Sequence, residues 1–201
     1  RGNVLTTTDP NDPNDPRDGG VTTLEYNNSS FPDLPTRKID ALGNVTTWVY
    51  DVNGNCIEET DPNGFKTTWT YNSYGQKLTE TDKNGWTTQY VYDSNGLLTE
   101  TIDAEGNHIW YGYDQLWRRT YVTNGRGSGP NDPDYTTVTT YDDADRVTSV
   151  AGPITTVSYT YDEIGNKLTE TNPRGFVTQY EYDNNSNLTK KTRLLTDDPN
   201  Q

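Results

Sequence analysis

The sequence predicts an all-β protein made of tandem 21-residue β-hairpins that follow one another as an antiparallel meander. Three observations support this fold class. One pattern recurs in direct succession from Tyr50, each copy carries two turn signals half a period apart, and the segments between turns alternate large and polar residues. A fixed period of this size is typical of repeat proteins, in which each unit packs against its neighbours.

A tyrosine opens each copy of the repeat and sets its frame. These frame tyrosines are Tyr50, Tyr71, Tyr92 and Tyr113. A first turn follows each tyrosine and a second turn lies half a period later. The turns end at Gly54, Gly75 and Gly96 for the first kind and at Gly64, Gly85 and Gly106 for the second. Asp at the start of a turn bonds the backbone two residues on, and Gly at its fourth position accepts a left-handed conformation, so each copy is predicted to be one hairpin.

Aromatic residues are predicted to form two columns on one face of the sheet. Alternate residues of a strand share a face, so equivalent positions of successive copies line up across the strands. One column contains Trp48, Trp69, Tyr90 and Tyr111, and the other contains the frame tyrosines. The columns are interpreted as the buried side of the sheet; a surface on which carbohydrate stacks is the alternative.

The opposite strand of each hairpin is less regular. Its apolar residue lies seven positions after the tyrosine at Ile57, Leu78 and Leu168, but six positions after it at Leu98, Val147 and Leu188. A shift of one residue reverses the face of every side chain in a strand. We therefore expect a bulge or a change of turn length in the second group.

Residues 1–38 are predicted to be the irregular start of the array. They contain an acidic, proline-rich excursion, in which Asp9, Asp12, Asp15 and Asp18 stand three residues apart. Proline excludes a helix or a central strand there. Spaced carboxylates are candidate calcium ligands, but their spacing does not match an EF-hand loop, and a solvated loop is the alternative.

The rest of the chain divides into three predicted segments. Residues 39–123 form the regular hairpins and end in a turn without glycine, at which Trp117 is expected to pack over the sheet edge. Residues 124–135 are a Gly/Pro insertion, interpreted as a solvated loop or a binding loop. Residues 136–201 resume the repeats with Tyr141, Tyr161 and Tyr182, and the array is expected to continue beyond the end.

The pattern Tyr-Asp-x-x-Gly-Asn-x-Leu-Thr-x-x-x-(Asp)-Pro-x-Gly resembles the YD repeat. It is clearest from Tyr161 to Gly175, with Gly165 ending the first turn, and it covers most of residues 39–192. This repeat occurs in Rhs proteins, shell-forming subunits of insecticidal toxin complexes, wall-associated bacterial proteins and teneurins. The resemblance implies a long, curved or spiralling antiparallel sheet that forms the wall of a hollow shell or tube. No Rhs core motif, self-cleaving protease segment or toxin domain accompanies it.

Composition excludes several classes of function. A net charge of −14 opposes binding to nucleic acid, and no apolar stretch reaches the length of a membrane-spanning helix. Cys56 is the single cysteine and is interpreted as a small strand residue. The single histidine, His108, is interpreted as a solvated strand residue. With no nucleophile–base pair, zinc cluster or phosphate loop, the sequence predicts neither an enzyme nor a cofactor, calcium aside.

These observations predict a structural role at the cell surface or outside the cell. The first hypothesis is a non-catalytic wall segment of a large secreted or surface protein, forming a fibre, tube or shell. The alternatives are a segment of a toxin-enclosing cocoon and an adhesin that binds carbohydrate through exposed aromatic residues. The expected partners are further YD repeats of the same or identical chains, with glycans or a cell surface as further candidates.

Overall fold

The computed structural model describes residues 3–8 and 20–194, and within them the chain contains seventeen strands and no helix. All described strand pairs are antiparallel, as the repeat pattern predicts. The strands are β1 Asn3–Thr8, β2 Val21–Tyr26, β3 Arg37–Ile39, β4 Val45–Tyr50, β5 Cys56–Thr60, β6 Lys66–Tyr71, β7 Lys77–Thr81, β8 Thr87–Tyr92, β9 Leu98–Ile102, β10 His108–Tyr113, β11 Arg119–Thr123, β12 Thr136–Tyr141, β13 Val147–Ala151, β14 Thr156–Tyr161, β15 Lys167–Thr171, β16 Val177–Tyr182 and β17 Leu188–Leu194.

The chain forms two compact units. The first comprises Arg1–Val91 with Ile102–Gly106, and the second comprises Tyr92–Thr101 with Asn107–Gln201. Within the first unit each strand from β1 to β8 pairs with the next along the chain. Within the second unit the same holds from β10 to β17. Each unit is therefore a meander of consecutive hairpins.

The tight turns follow one geometry throughout both units. In the turn that starts at Asp51, the Gly54 N–H donates to the Asp51 carbonyl over 3.2 Å and the Asp51 N–H donates to the Asn55 carbonyl over 2.9 Å. Gly54 has a φ of 86°, a conformation that glycine adopts without a steric penalty. The same positive φ recurs at the other turn glycines. They are Gly43, Gly64, Gly75, Gly85, Gly96, Gly106, Gly165 and Gly175.

Three turns keep this geometry without glycine. Trp117, Asp145 and Ser186 occupy the glycine position with φ values of 64°, 62° and 62°. The expectation that Trp117 packs over the sheet edge is wrong, because this side chain is 65 % exposed.

A β-bulge stands beside the frame tyrosine in every hairpin of the first kind for which the pairing is described. Tyr71 pairs with Lys77 and the register skips Leu78, while Tyr141 pairs with Val147 and skips Thr148. The bulges expected at Val147 and Leu188 are present. The expected difference between the two groups of hairpins is absent, because hairpins with an apolar residue at the seventh position carry the same bulge.

The described residues bury no apolar side chain completely. The buried polar residues among them are Thr123 and Thr136, whose hydroxyl groups lie 2.7 Å apart where the insertion leaves and re-enters the sheet. The insertion itself is ordered around Asp132, whose carboxylate accepts bonds from the backbone and hydroxyl of Ser128 and from the backbone of Asp134. These bonds lower the pKa of Asp132.

Candidate functional site

The predicted aromatic columns are neither buried nor fully exposed. Trp48, Trp69, Tyr90, Tyr111 and the frame tyrosines are all half-buried. Phe65 and Trp86, which begin the alternating strands, are 53 % and 56 % exposed. The aromatic face is therefore a partly covered surface and not the closed side of a core.

Lysine and glutamate separate the aromatic rings of successive hairpins. Lys77 Nζ lies 5.7 Å from the ring centroid of Trp69 and 5.9 Å from that of Tyr90, and it forms a 2.7 Å ion pair with Glu80. In a later copy, Lys167 repeats this arrangement with Tyr180 and Glu170 at 4.7 and 2.7 Å. Cations over aromatic faces are attracted by the ring quadrupole. At these two places, aromatic rings two residues before the frame tyrosines therefore lie next to lysine–glutamate ion pairs.

The charges of these ion pairs are mutually stabilised. The hydrogen bond to Glu170 raises the pKa of Lys167, and the bond from Lys167 lowers the pKa of Glu170. In an earlier copy of the repeat, the carboxylate of Glu59 accepts a 2.8 Å hydrogen bond from Trp48 Nε1. Both groups of the Lys167–Glu170 pair therefore remain charged at neutral pH.

The frame tyrosines connect each hairpin to the one before it. Tyr71 Oη donates to the carbonyl of Cys56 over 2.8 Å, and Cys56 is the residue that pairs with the preceding frame tyrosine at its bulge. The other bonds of this kind run from Tyr50 to Pro35, Tyr113 to Leu98, Tyr141 to Arg119, Tyr161 to Val147 and Tyr182 to Lys167. A side chain two strands away thus fixes each bulge, and neighbouring hairpins interlock through main-chain oxygens.

Carboxylates line the edge formed by the first turns, where they stabilise the conformation of the turns. Asp51 Oδ1 accepts the backbone N–H groups of Asn53 and Asn55, and Asp51 Oδ2 accepts the Asn55 amide at 2.9 Å. The side-chain bond from Asn55 is the main cause of the lowered pKa of Asp51. The same arrangement binds Asp183 to Asn187 in another first turn, and Asp40 to Asn44 in a turn of the second kind. These acids are occupied by their own turns and do not converge on a reaction site.

Two arginines extend this edge by bridging consecutive turns. Arg146 bonds Asp142 Oδ2 at 2.7 Å within its own turn, reaches the Asp162 carbonyl of the next at 2.6 Å, and lies 4.9 Å from the Tyr161 ring centroid. Arg118 does the same between its own turn and the turn of Asp142. Sequence reasoning missed both residues. The available signal was arginine at the position that is asparagine in other copies.

The two residues considered for catalysis are placed as follows. Burial raises the pKa of the Cys56 thiol, which opposes formation of a nucleophilic thiolate. His108 lies on β10 with its side chain 38 % exposed, and it also stacks on Trp110 at 5.3 Å and pairs with Glu100 at 2.6 Å. Within the described residues, no three His, Cys, Asp or Glu side chains are grouped to hold a metal ion. The calcium candidates Asp9, Asp12, Asp15 and Asp18 lie outside the described residues.

Comparison with known proteins identifies the family. The sequence matches the family described as RHS Repeat over residues 33–66, 50–85, 71–108 and 141–177, which together span more than half of the chain. No match was found among curated protein sequences. The chain belongs to the RHS Repeat family, as the YD pattern predicts.

Solved structures share the fold. A mutant Tc holotoxin pore of Photorhabdus luminescens is 21 % identical with a TM-score of 0.67, and the alignment covers 90 % of this chain and 10 % of the matched chain. The crystal structures of TcdB2-TccC3-Cdc42 and TcdB2-TccC3-TEV match 90 % of this chain and 11 % of theirs, at 21 % and 22 % identity and TM-scores of 0.67 and 0.66. The chain thus spans about a tenth of the length of these structures. No helix long and apolar enough to cross a bilayer occurs among the described residues.

Proposed function

We propose that this chain is a non-catalytic structural segment of a large secreted or cell-surface protein, in which RHS repeats build the β-sheet wall of an extracellular fibre, tube or shell. The observation that supports this proposal most directly is the interlocking of hairpins. Each described hydrogen bond of a frame-tyrosine hydroxyl group ends on a main-chain carbonyl of the preceding part of the meander, so the sheet is reinforced along its length without a closed hydrophobic core. Such a sheet extends by addition of identical units.

The absence of convergent chemistry in the described part of the chain favours a structural role over an enzymatic one. The turn acids are engaged by turn backbone, the ion pairs lie between aromatic rings, and the pKa of the Cys56 thiol is raised. The partners that fit this surface are further RHS repeats of the same or of identical chains. The strand edges and the half-buried aromatic face provide the contact area that such partners would cover.

A toxin-enclosing cocoon is the second candidate, because the solved structures with this fold include toxin-complex proteins. An adhesin that uses the aromatic columns is less favoured, because the rings of Trp69 and Tyr90 are partly covered by Lys77. Electron microscopy of the natural protein that contains these repeats tests the proposal. Filaments, tubes or open walls support it, closed particles support the cocoon, and small compact particles would contradict both.

Surface exposure is a separate test of the proposed location. Antibodies against the repeat segment are expected to label intact cells or to detect the protein in the culture medium. Labelling that appears only after cells are permeabilised would contradict an extracellular wall. A known cytoplasmic protein serves as the control for cell integrity.

A further inference from the structure

A groove lies between two first turns of the second unit, where residues 93–97 and 114–117 run side by side. Its volume is about 410 Å³, and its lining includes Asp93, Asn95, Gln115, Trp117 and Tyr121. We propose that this groove binds a neutral saccharide through stacking on Trp117 and hydrogen bonds to the surrounding polar groups. The groove adjoins the aromatic columns at Tyr111 and Tyr113, but its exposed stacking residue, Trp117, belongs to neither column. This binding site goes beyond the proposed wall function.

The groove is open because one residue differs from its equivalents in the other first turns. The fifth position of these turns is Asn55, Gln76, Arg118, Arg146, Asn166 and Asn187 in six copies, but it is Leu97 here. Elsewhere this residue reaches the next turn: Asn55 Oδ1 lies 3.4 Å from where a Cβ on Gly75 would stand, and Arg118 and Arg146 bond to the following turn. Leu97 makes no such bond, so the two turns leave a space between them.

The same substitution leaves a hydrogen-bond acceptor available at the groove. Asp93 Oδ1 accepts the backbone N–H groups of Asn95 and Leu97. Its second oxygen has no partner within residues 3–8 and 20–194, whereas the corresponding oxygen of Asp51 accepts the Asn55 amide and that of Asp142 accepts Arg146. A ligand hydroxyl group that approaches Asp93 would therefore meet a carboxylate oxygen with its hydrogen-bonding capacity intact.

Two aromatic residues give the groove its shape. Trp117 is 65 % exposed and has a φ of 64°, where four other first turns place glycine. Non-glycine residues held in this conformation concentrate at functional sites, because their strain must be compensated elsewhere. Tyr121 pairs with Gly112, and its ring occupies the space that a Cβ on Gly112 would need. The ring is thereby held against the strand, and in the described residues its hydroxyl group has no hydrogen-bond partner.

The chemistry of the lining favours a saccharide over other small ligands. An exposed indole offers a flat apolar face, while a carboxylate oxygen, two side-chain amides and a phenol hydroxyl provide both donors and acceptors around it. This mixture matches a ring that carries apolar C–H faces and several hydroxyl groups. The net charge of −14 and the carboxylate of Asp93 disfavour anionic sugars. The fit is therefore to a neutral saccharide.

The test is a titration of the 201-residue chain with maltotriose, lactose and chitotriose, followed by amide NMR and tryptophan fluorescence, with sialyllactose as the anionic comparison. We expect at least one neutral probe to shift amide signals of residues 93–99 and 112–121 while signals of the first unit stay unchanged. Trp117→Gly removes the indole but introduces the residue that four other first turns carry, so it keeps the fold and is expected to weaken binding at least about tenfold.

Two further variants separate the groove from general effects. In the turn of Asp51, the side-chain amide of Asn55 occupies the second carboxylate oxygen of Asp51. Leu97→Asn places an equivalent amide in the turn of Asp93, and it is expected to weaken binding. Trp86→Asn removes an equally exposed tryptophan outside the groove and is expected to leave binding unchanged. The proposal is overturned if no neutral probe shifts these signals, if Trp117→Gly binds as well as the natural sequence, or if Trp86→Asn loses binding to the same extent. A failure of saccharide binding would not count against the proposed wall function, because electron microscopy of the assembled protein tests that function separately.

Discussion

At the residue scale, the frame tyrosine does more than fill a column. Its ring is half-buried on the aromatic face while its hydroxyl group bonds the carbonyl of the preceding hairpin, so one side chain both packs and connects. The 21-residue spacing predicted the recurrence of this tyrosine, which ends β4, β6, β8 and β10. It could not predict the hydrogen bond, because that bond depends on a bulge that places a carbonyl within reach of the hydroxyl group.

Removing one of these hydroxyl groups is expected to weaken the link between two hairpins. Tyr71→Phe keeps the ring but loses the 2.8 Å bond to the Cys56 carbonyl, and we expect the free energy of unfolding to fall by about 1 kcal/mol. Urea denaturation measures this change. Tyr74→Phe is the matched control, since Tyr74 is 88 % exposed on a turn and its loss of a hydroxyl group should be neutral. Equal effects of the two variants would contradict the linking role.

The turn carboxylates predict a loss of stability in acid. Hydrogen bonds from Asn55 lower the pKa of Asp51, and bonds from Asn44 and Asn187 lower the pKa of Asp40 and Asp183. A carboxyl whose pKa is lower in the folded state contributes stability that is complete above its unfolded pKa of about 3.9 and is lost as pH falls through the folded value. The melting temperature is therefore expected to be level near neutral pH and to fall below about pH 4.

Asparagine replacements test whether the turns cause this acid sensitivity. Asn72 already occupies the same turn position and accepts the same two backbone bonds, at 2.9 and 3.0 Å. A combined Asp51→Asn and Asp183→Asn variant should retain the fold at pH 7 and lose less of its melting temperature between pH 5 and 3. An unchanged acid profile would show that other carboxylates are responsible.

At the scale of the element, the hairpin is a standard unit whose turn edge varies. The sequence predicted the strands and turns because aspartate and glycine mark both ends of each turn. It did not predict that all described first-turn hairpins share a bulge, because the apolar residue shifts between the sixth and seventh positions and suggests two classes. It also missed the arginine bridges, because they require the distance between consecutive turns, which a sequence alone does not provide.

An arginine bridge should contribute measurably to the stability of the second unit. Arg146→Asn keeps the local pairing that Asn166 makes in the next turn, but it loses the bond to the Asp162 carbonyl and the contact with Tyr161. We expect a loss of about 1–2 kcal/mol, since an exposed ion pair and a cation–π contact are each worth up to about 1 kcal/mol. The reverse change, Asn166→Arg, tests whether a bridge can be added. No difference for Arg146→Asn would show that solvent competes fully for the arginine.

At the scale of the whole molecule, the 21-residue period is both the sequence repeat and the structural module. The family match and the antiparallel sheet follow from the in-frame pattern, and both were predicted from it. The groove beside Trp117 was not predicted from the repeat pattern. It arises where Leu97, Gly112 and Trp117 depart from that pattern in neighbouring copies. Departures from a repeat are visible in the sequence, but only the structure shows that these three lie together.

Deletion of one period is expected to leave a shorter folded sheet. Removing Tyr50–Thr70 joins Val49 to Tyr71, takes out two turns and two strands together, and preserves the direction and the face of every remaining strand. Removing only Thr60–Thr70 reverses the strand direction after the deletion and should cause aggregation. Circular dichroism and size-exclusion chromatography compare the two variants. If the full-period deletion is as damaging as the half-period deletion, the 21-residue hairpin is not the module.

The lack of fully buried apolar side chains in the described residues has a thermal consequence. Exposure of apolar surface to water is the main source of the heat-capacity increase on unfolding, which averages about 12–15 cal/mol/K per residue. A sheet stabilised by main-chain bonds, tyrosine hydroxyl groups and ion pairs should give a smaller value, which calorimetry measures directly, and a value at or above that average would contradict this account. A small heat-capacity change flattens the dependence of stability on temperature. The free energy of unfolding of such a sheet would change little on cooling, and the sheet would stay folded over a wide range of ambient temperatures.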